Sequence, residues 1–197
     1  MRVISGEYRG RRLKGPKGMD LRPTGDRLKE TLFNILKPRI SGAVVFDIFS
    51  GTGAIGIEAL SRGAGRVVFV ERDSAANSLI RQNLQTCNVE GDYLIIQEDV
   101  FTTLRSLARR GFRADIIFFD PPYDWKHYTD LLKLTFKPEL VSAYTCVVIE
   151  HGRRADLPES GEGYERYRLV RHGDNCLSFY KKKEQDYSAD DPSGETF

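Results

Sequence analysis

Two segments carry side chains whose types and spacing can do chemistry. In the first, Asp47 leads into Phe49-Ser50-Gly51-Thr52-Gly53-Ala54-Ile55-Gly56, and Gly51, Gly53 and Gly56 fit G-x-G-x-x-G between an apolar run and a helical pattern. Glycines there let the backbone turn sharply and let a ligand approach without a Cβ in the way. The helix N-terminus beyond offers unpaired N–H groups to a carboxylate or phosphate. Glu71 ends the next apolar run, 20 residues after Gly51, where an acid accepts two hydrogen bonds from a ribose diol. The residues therefore suit a ribose-bearing cofactor. A carboxylate at Asp47 suits an ammonium and repels a pyrophosphate, which favours S-adenosylmethionine over a dinucleotide. The plainer alternative is an ordinary tight turn with Asp47 capping the helix. Asp99 follows the third apolar run. It either accepts from an adenine amine, with Val100 and Phe101 against the ring, or caps the helix that starts there.

The second segment is Asp120-Pro121-Pro122-Tyr123, directly after the apolar run IIFF. Two prolines remove backbone donors and stop a strand abruptly. They leave the Asp120 carboxylate and the Pro121 carbonyl as two acceptors pointing one way, with the Tyr123 ring beside them. Two acceptors and a stacking plane are what a planar exocyclic amine needs to turn its nitrogen lone pair toward an electrophile. A rigid loop with a core tyrosine is the plain alternative.

The elements that must position these groups are legible as alternation. Apolar runs occur at 43–47, 66–71, 93–97, 114–120 and 145–150, with helical patterns at 54–62, 74–86, 101–109 and 127–136 between them. Runs apolar throughout read as parallel strands covered on both faces. Residues 164–171 and 176–183 alternate with period two around His172-Gly173-Asp174-Asn175, which reads as an antiparallel hairpin at the sheet edge. The pattern predicts an α/β, Rossmann-like doubly wound sheet with that hairpin at its C-terminal end. Ahead of it, a helix carries Leu28, Leu32, Ile35 and Leu36 on one face and is expected to end at Pro38 and Gly42.

The 197 residues carry 30 Lys+Arg and 28 Asp+Glu, with 40% hydrophobic residues, which fits a folded globular chain and excludes disordered, collagen-like and coiled-coil classes. Charge is uneven. Residues 1–40 hold 11 basic and 4 acidic side chains, leaving 19 basic and 24 acidic in the rest. A basic arm on an acidic body points to a polyanionic partner, against a merely solvated face. Residues 1–40 are read as a basic arm and helix, 41–183 as the main domain, and 184–197, acidic with a Pro-Ser-Gly cluster, as a disordered tail. Cys87, Cys146 and Cys176 are far apart, so neither a disulfide framework nor a metal site is expected. His127, His151 and His172 are read as structural or surface residues. No secretory signal and no membrane span are visible, and a cytoplasmic location is expected.

With these motifs in place, the chain resembles class I S-adenosylmethionine-dependent amino-methyltransferases, whose fourth-strand motif is [DNS]-P-P-[YFW]. It is similar in particular to the bacterial 16S rRNA guanine-N2 methyltransferases. The resemblance spans residues 2–183 and includes ISGEYRGRRL, LRPTGDRLKETLFNIL, DIFSGTGAIGIEALSRGA, VERD and DPPY. It implies a seven-stranded sheet with its last-added strand antiparallel, and it makes residues 1–40 an RNA-contacting arm and 41–183 a methyltransferase domain. It also implies that Ser50, Gly51, Thr52 and Gly53 wrap the methionine part of the cofactor, that Glu71 beside Arg72 holds the ribose, and that Asp99 with Val100 faces the adenine. Asp120, Pro121 and Tyr123 would hold the base. Arg9, Arg11, Arg12, Arg22 and Arg27 would touch phosphates of 16S rRNA, free or within a 30S particle, with the enzyme a monomer. The alternatives are an amino-methyltransferase acting on DNA or another RNA position, a nicotinamide-dependent oxidoreductase and a non-catalytic RNA-binding module.

Overall fold

The computed structural model describes residues 1–15 and 24–183; Arg22 and the tail at 184–197 lie outside them. Helix α1 (Thr24–Ile40) precedes β1 (Val44–Ile48), α2 (Ala54–Ser61), β2 (Arg66–Val70), α3 (Ser74–Thr86), β3 (Asp92–Ile96), α4 (Val100–Arg109), β4 (Ala114–Phe119) and α5 (Tyr128–Thr135). Then come β5 (Val141–Gly152), β6 (Ser160–Gly161), β7 (Tyr164–His172) and β8 (Asn175–Lys182). One sheet runs β3-β2-β1-β4-β5-β8-β7-β6. β1 to β5 pair in parallel, while β8 lies antiparallel between β5 and β7. The five parallel strands and the hairpin make the seven expected strands, and the two-residue β6 adds an eighth at the edge.

The order follows from burial. Apolar residues on the two faces of β1 and β4 pack into two separate clusters. Val45, Ile116 and Phe118 join one cluster, and Phe46, Ile48, Ile117 and Phe119 the other. A strand buried on both sides must be apolar throughout. β3 departs from that reading. It is the edge strand, with Tyr93 and Leu94 exposed, and only Ile95 and Ile96 pack against the two clusters. Helix α1 also departs from expectation: it continues through Pro38 to Ile40. Ile40 is buried in the core there, and its packing offsets the loss of one late helical hydrogen bond.

The arm is not strand-like beyond one bridge, Arg2 to Arg12. Val3, Tyr8 and Leu13 are buried in the same cluster as α1 and α2. A single carboxylate fixes this segment. Glu58 of α2 is fully buried and accepts from Ile4 N at 2.7 Å, Ser5 N at 3.0 Å and Arg62 Nε at 2.8 Å. Lys29 of α1 lies 3.5 Å away and donates to the Arg2 carbonyl. Burial lowers the Lys29 pKa, with Glu58 opposing that shift. Removing one side of a buried charge cluster strands the rest. Glu58→Ala is expected to lower unfolding free energy by about 3–5 kcal/mol in denaturant titrations, far more than an exposed acid such as Glu30.

Candidate active site

The carboxyl ends of β1, β4 and β5 open onto one cleft of about 280 Å³, whose walls include Asp47, Phe49, Gly51, Thr52, Asp120 and Glu150. Side chains hold its glycine loop from behind. Ser50 Oγ accepts from Val70 N at 2.9 Å and donates to the Asp47 carbonyl, clipping the loop between β1 and β2. Glu71 Oε2 accepts from Gly51 N at 3.0 Å, and its Oε1 accepts from Asp73 N at 2.9 Å. Asp47 Oδ2 accepts from Gly56 N at 2.9 Å inside the first turn of α2. The loop bends sharply: Phe49, Gly51 and Gly53 all have positive φ, 61°, 54° and 75°. Gly56 serves packing, since a Cβ there would stand 2.2 Å from the Phe69 ring.

Ser50 and Glu71 thus shape the loop through their own hydrogen bonds. Thr52 and Gly51 line the cleft, whereas Arg72 is exposed and is not among its walls. Asp99 caps α4, its Oδ1 accepting from Phe101 N at 3.0 Å and Thr102 N at 3.1 Å. Hydrogen bonds from Thr102 hold its carboxyl below the usual range. Val100 is buried, and Phe101 stacks on Trp125 with Phe49 edge-on to the same indole.

Asp120 faces the open cleft, while protein surrounds it on its other sides. That confinement pushes its carboxyl up to about 6. Neither its carboxylate nor the Pro121 carbonyl receives a hydrogen bond among the described residues. Tyr123 is 77% exposed, its ring against Gly152 and its hydroxyl donating to Asn175 Oδ1 at 3.0 Å. A second cavity of about 200 Å³ adjoins here, lined by Asp120, Pro121, Tyr123, Glu150 and Asn175 among others. Asp120 and Glu150 belong to both cavities. Glu150 went unnoticed in the sequence, although it ends an apolar run as Asp47 and Asp120 do. Burial raises it to about 8, and the nearby Asp120 adds to that. Asp47 is raised to about 8 as well, first by complete burial. His151 is structural, held between the Gly152 carbonyl and Ser178 Oγ.

The basic arm separates into two kinds of residue. Arg9 and Arg27 line a groove beside Arg2 and Glu30, and Arg12 is exposed. Arg11 instead lies half-buried over the Tyr8 ring, 5.4 Å from its centroid. Among the described residues, no cluster of three His, Cys, Asp or Glu side chains is placed to hold a metal ion, and no helix is long and apolar enough to cross a membrane.

The family described as conserved hypothetical protein 95 matches residues 1–181. The chain belongs to that family. YlbH of Bacillus subtilis is 37% identical over 185 residues, covering 93% of this chain and 100% of that protein. The ribosomal RNA small subunit methyltransferase D of Escherichia coli K12 is 31% identical, covering 94% of this chain and 91% of its own. The solved structure of yhhF from Escherichia coli superposes with a TM-score of 0.81 at 31% identity, over 94% of this chain and 99% of that one. The fold is that of a class I methyltransferase, as the resemblance implied. The nicotinamide alternative fares poorly at the cleft, where Asp47, Asp120 and Glu150 would face a pyrophosphate.

The burial of Asp47 has a measurable consequence. Its folded pKa of about 8 lies above the unfolded value of 3.8, so the neutral form is favoured on folding. The penalty for ionising it grows as pH rises between those values and is complete above about 8. Relative to Asp47→Asn, the melting temperature of the wild type is expected to fall from pH 6 to pH 8 and run parallel above pH 8.5.

Proposed function

We propose that the protein transfers a methyl group from S-adenosylmethionine to the exocyclic N2 amine of a guanine in small-subunit ribosomal RNA. The observation that carries this reading is the pair of unoccupied acceptors, Asp120 and the Pro121 carbonyl, beside the exposed Tyr123 ring at the seam of two cavities. The name of the Escherichia coli relative supports the substrate class.

The larger cleft suits the cofactor. Among the described residues Asp47 has a buried carboxyl with one backbone N–H partner and no paired cation, which is the complement of an α-ammonium. The Gly51–Gly53 turn would pass the methionine backbone, and Glu71, whose oxygens already accept from Gly51 N and Asp73 N, would take the ribose diol on their remaining lone pairs. S-adenosylmethionine, when bound, supplies an electrophilic methyl on a sulfonium. The chain then has mainly to place the nucleophile, and alignment alone accounts for about 7–11 kcal/mol of such barriers. Asp120 and the Pro121 carbonyl accept the two N–H bonds of the amine, so positive charge developing on nitrogen is met by fixed acceptors. Tyr123 stacks the extruded base and returns roughly 1–3 kcal/mol of the cost of unstacking it. Asp120, poised near 6, is ionised at neutral pH and sits beside the nitrogen that sheds a proton; water is the other acceptor for it.

The exposed arm residues Arg9, Arg12 and Arg27 would neutralise phosphates of the rRNA, alone or within an assembling 30S particle, the protein acting as a monomer in the cytoplasm. Arg11, packed on Tyr8, contributes less.

Two experiments test the reading. With undermodified 16S rRNA, 30S particles or duplex DNA as acceptor, label from S-adenosylmethionine is expected on guanine N2 of an RNA form. Asp120→Ala is expected to abolish that transfer while S-adenosylhomocysteine affinity changes less than about threefold, and retained turnover removes Asp120 from the role. Replacing Arg9, Arg12 and Arg27 together is expected to flatten the log–log salt dependence of RNA binding by about 2–3, at roughly 0.7–0.9 per contact. An unchanged slope overturns the arm contact.

A further inference from the structure

The smaller cavity contains a wired polar network that the transfer reaction does not call for. Tyr123 Oη donates to Asn175 Oδ1 at 3.0 Å, and Asn175 Nδ2 donates to Glu150 Oε1 at 3.3 Å. The tyrosine fixes which way the amide points, and the amide fixes the carboxyl. The hairpin supplies Asn175 as the first residue of β8, opposite Gly152 in β5, so the network ties the sheet edge to the Asp-Pro-Pro-Tyr loop. The other oxygen of Glu150 has no partner among the described residues. It lies in the same small cavity as Asp120 and Tyr123.

Resting on the guanine reading above, we infer that Glu150, oriented by Asn175, reads the N1–H of the target guanine and thereby selects guanine over other bases. Guanine is the base whose pairing edge presents a ring N–H beside an exocyclic amine, two donors side by side. Adenine and cytosine present one amine next to a ring acceptor. With a base stacked on Tyr123 and its amine on Asp120 and the Pro121 carbonyl, the adjacent ring position falls toward Glu150. An ionised carboxylate there bonds the guanine N1–H and repels a ring lone pair. Burial holds its pKa up at about 8, so an arriving N–H donor favours ionisation whereas a ring acceptor favours retention of the proton, and the selection is fullest above about pH 8. Glu150 touches the base without supplying the acceptors for the reacting nitrogen. Its role is therefore one of selection.

The test uses full-length protein and 16S rRNA in which the guanine labelled by the wild type is replaced by 2-aminopurine. That base keeps the 2-amine and has a ring acceptor in place of N1–H. At pH 8.5, the wild type is expected to prefer guanine by about 10–100-fold in kcat/KM, the scale of one well-made base-edge pair. Glu150→Gln offers a donor to the ring nitrogen, and the preference is expected to shrink to about threefold or less. Asn175→Ser, which leaves Glu150 in place but unsteered, is expected to fall between the two. Melting temperature and S-adenosylhomocysteine binding report whether each variant is folded, and if Glu150→Gln is not, the Asn175→Ser ratio decides. Variants that are slower on both substrates with the wild-type ratio intact overturn the inference, as does a wild type indifferent to the replacement. Failure of the wild type to label any guanine N2 would instead overturn the guanine reading itself.

Discussion

The site depends on a loop that cannot hold its own shape. Between β1 and α2 the chain reverses through three residues at positive φ, one of them Phe49, and a non-glycine residue in that region costs about 1–2 kcal/mol. What holds it there are three side chains that bond the chain's own backbone: Ser50 on Val70, Glu71 on Gly51 N, and Asp47 on Gly56 N. Two of these bonds reach across to β2 or its end. The glycine turn is therefore positioned by the parallel pairing of β1 with β2, and everything aimed into the cleft inherits that placement.

A second constraint ties the arm to the same helix. Glu58 of α2 collects backbone N–H groups from Ile4 and Ser5 together with Arg62 and Lys29. Buried carboxylates are tolerable when they are fully hydrogen-bonded, and Glu58 meets that condition by ordering the N-terminal segment. As a result, Met1 and Lys29 reach the wall of the larger cleft. The basic residues that face outward, Arg9, Arg12 and Arg27, are carried on a segment locked to the catalytic body.

The acids form a gradient of solvation. Glu71 and Asp99 spend their oxygens on backbone N–H groups at the rim. Asp120 has no such partner among the described residues and rises to about 6, and the more deeply set Asp47 and Glu150 rise to about 8. A cleft of this kind attracts a ligand bearing positive charge and N–H donors, because such a ligand supplies the partners that the chain withholds.

Much was legible in the residues themselves. Asp47, Glu71 and Asp120 were found because each ends an apolar run, and carboxyl ends of parallel strands converge on one side of a doubly wound sheet. The hairpin at 164–182 followed from period-two alternation around Gly173, whose φ is 59°. Glu150 obeys the same rule, but its strand runs on through His151 to Gly152, so the apolar run does not mark it as a strand end. Asn175 resembles any turn residue until β8 is seen paired with β5. The exposure of β3 and the continuation of α1 past Pro38 were also hidden, since burial depends on which neighbours arrive, and that is a property of strand order. Local sequence thus determined where strands stop and which residues stand at their ends, because periodicity and proline act over a few residues. Which of those ends share a cavity, which arginine packs on a tyrosine and which acid loses its water were decided only by the tertiary structure, because desolvation is set by groups far apart in the chain.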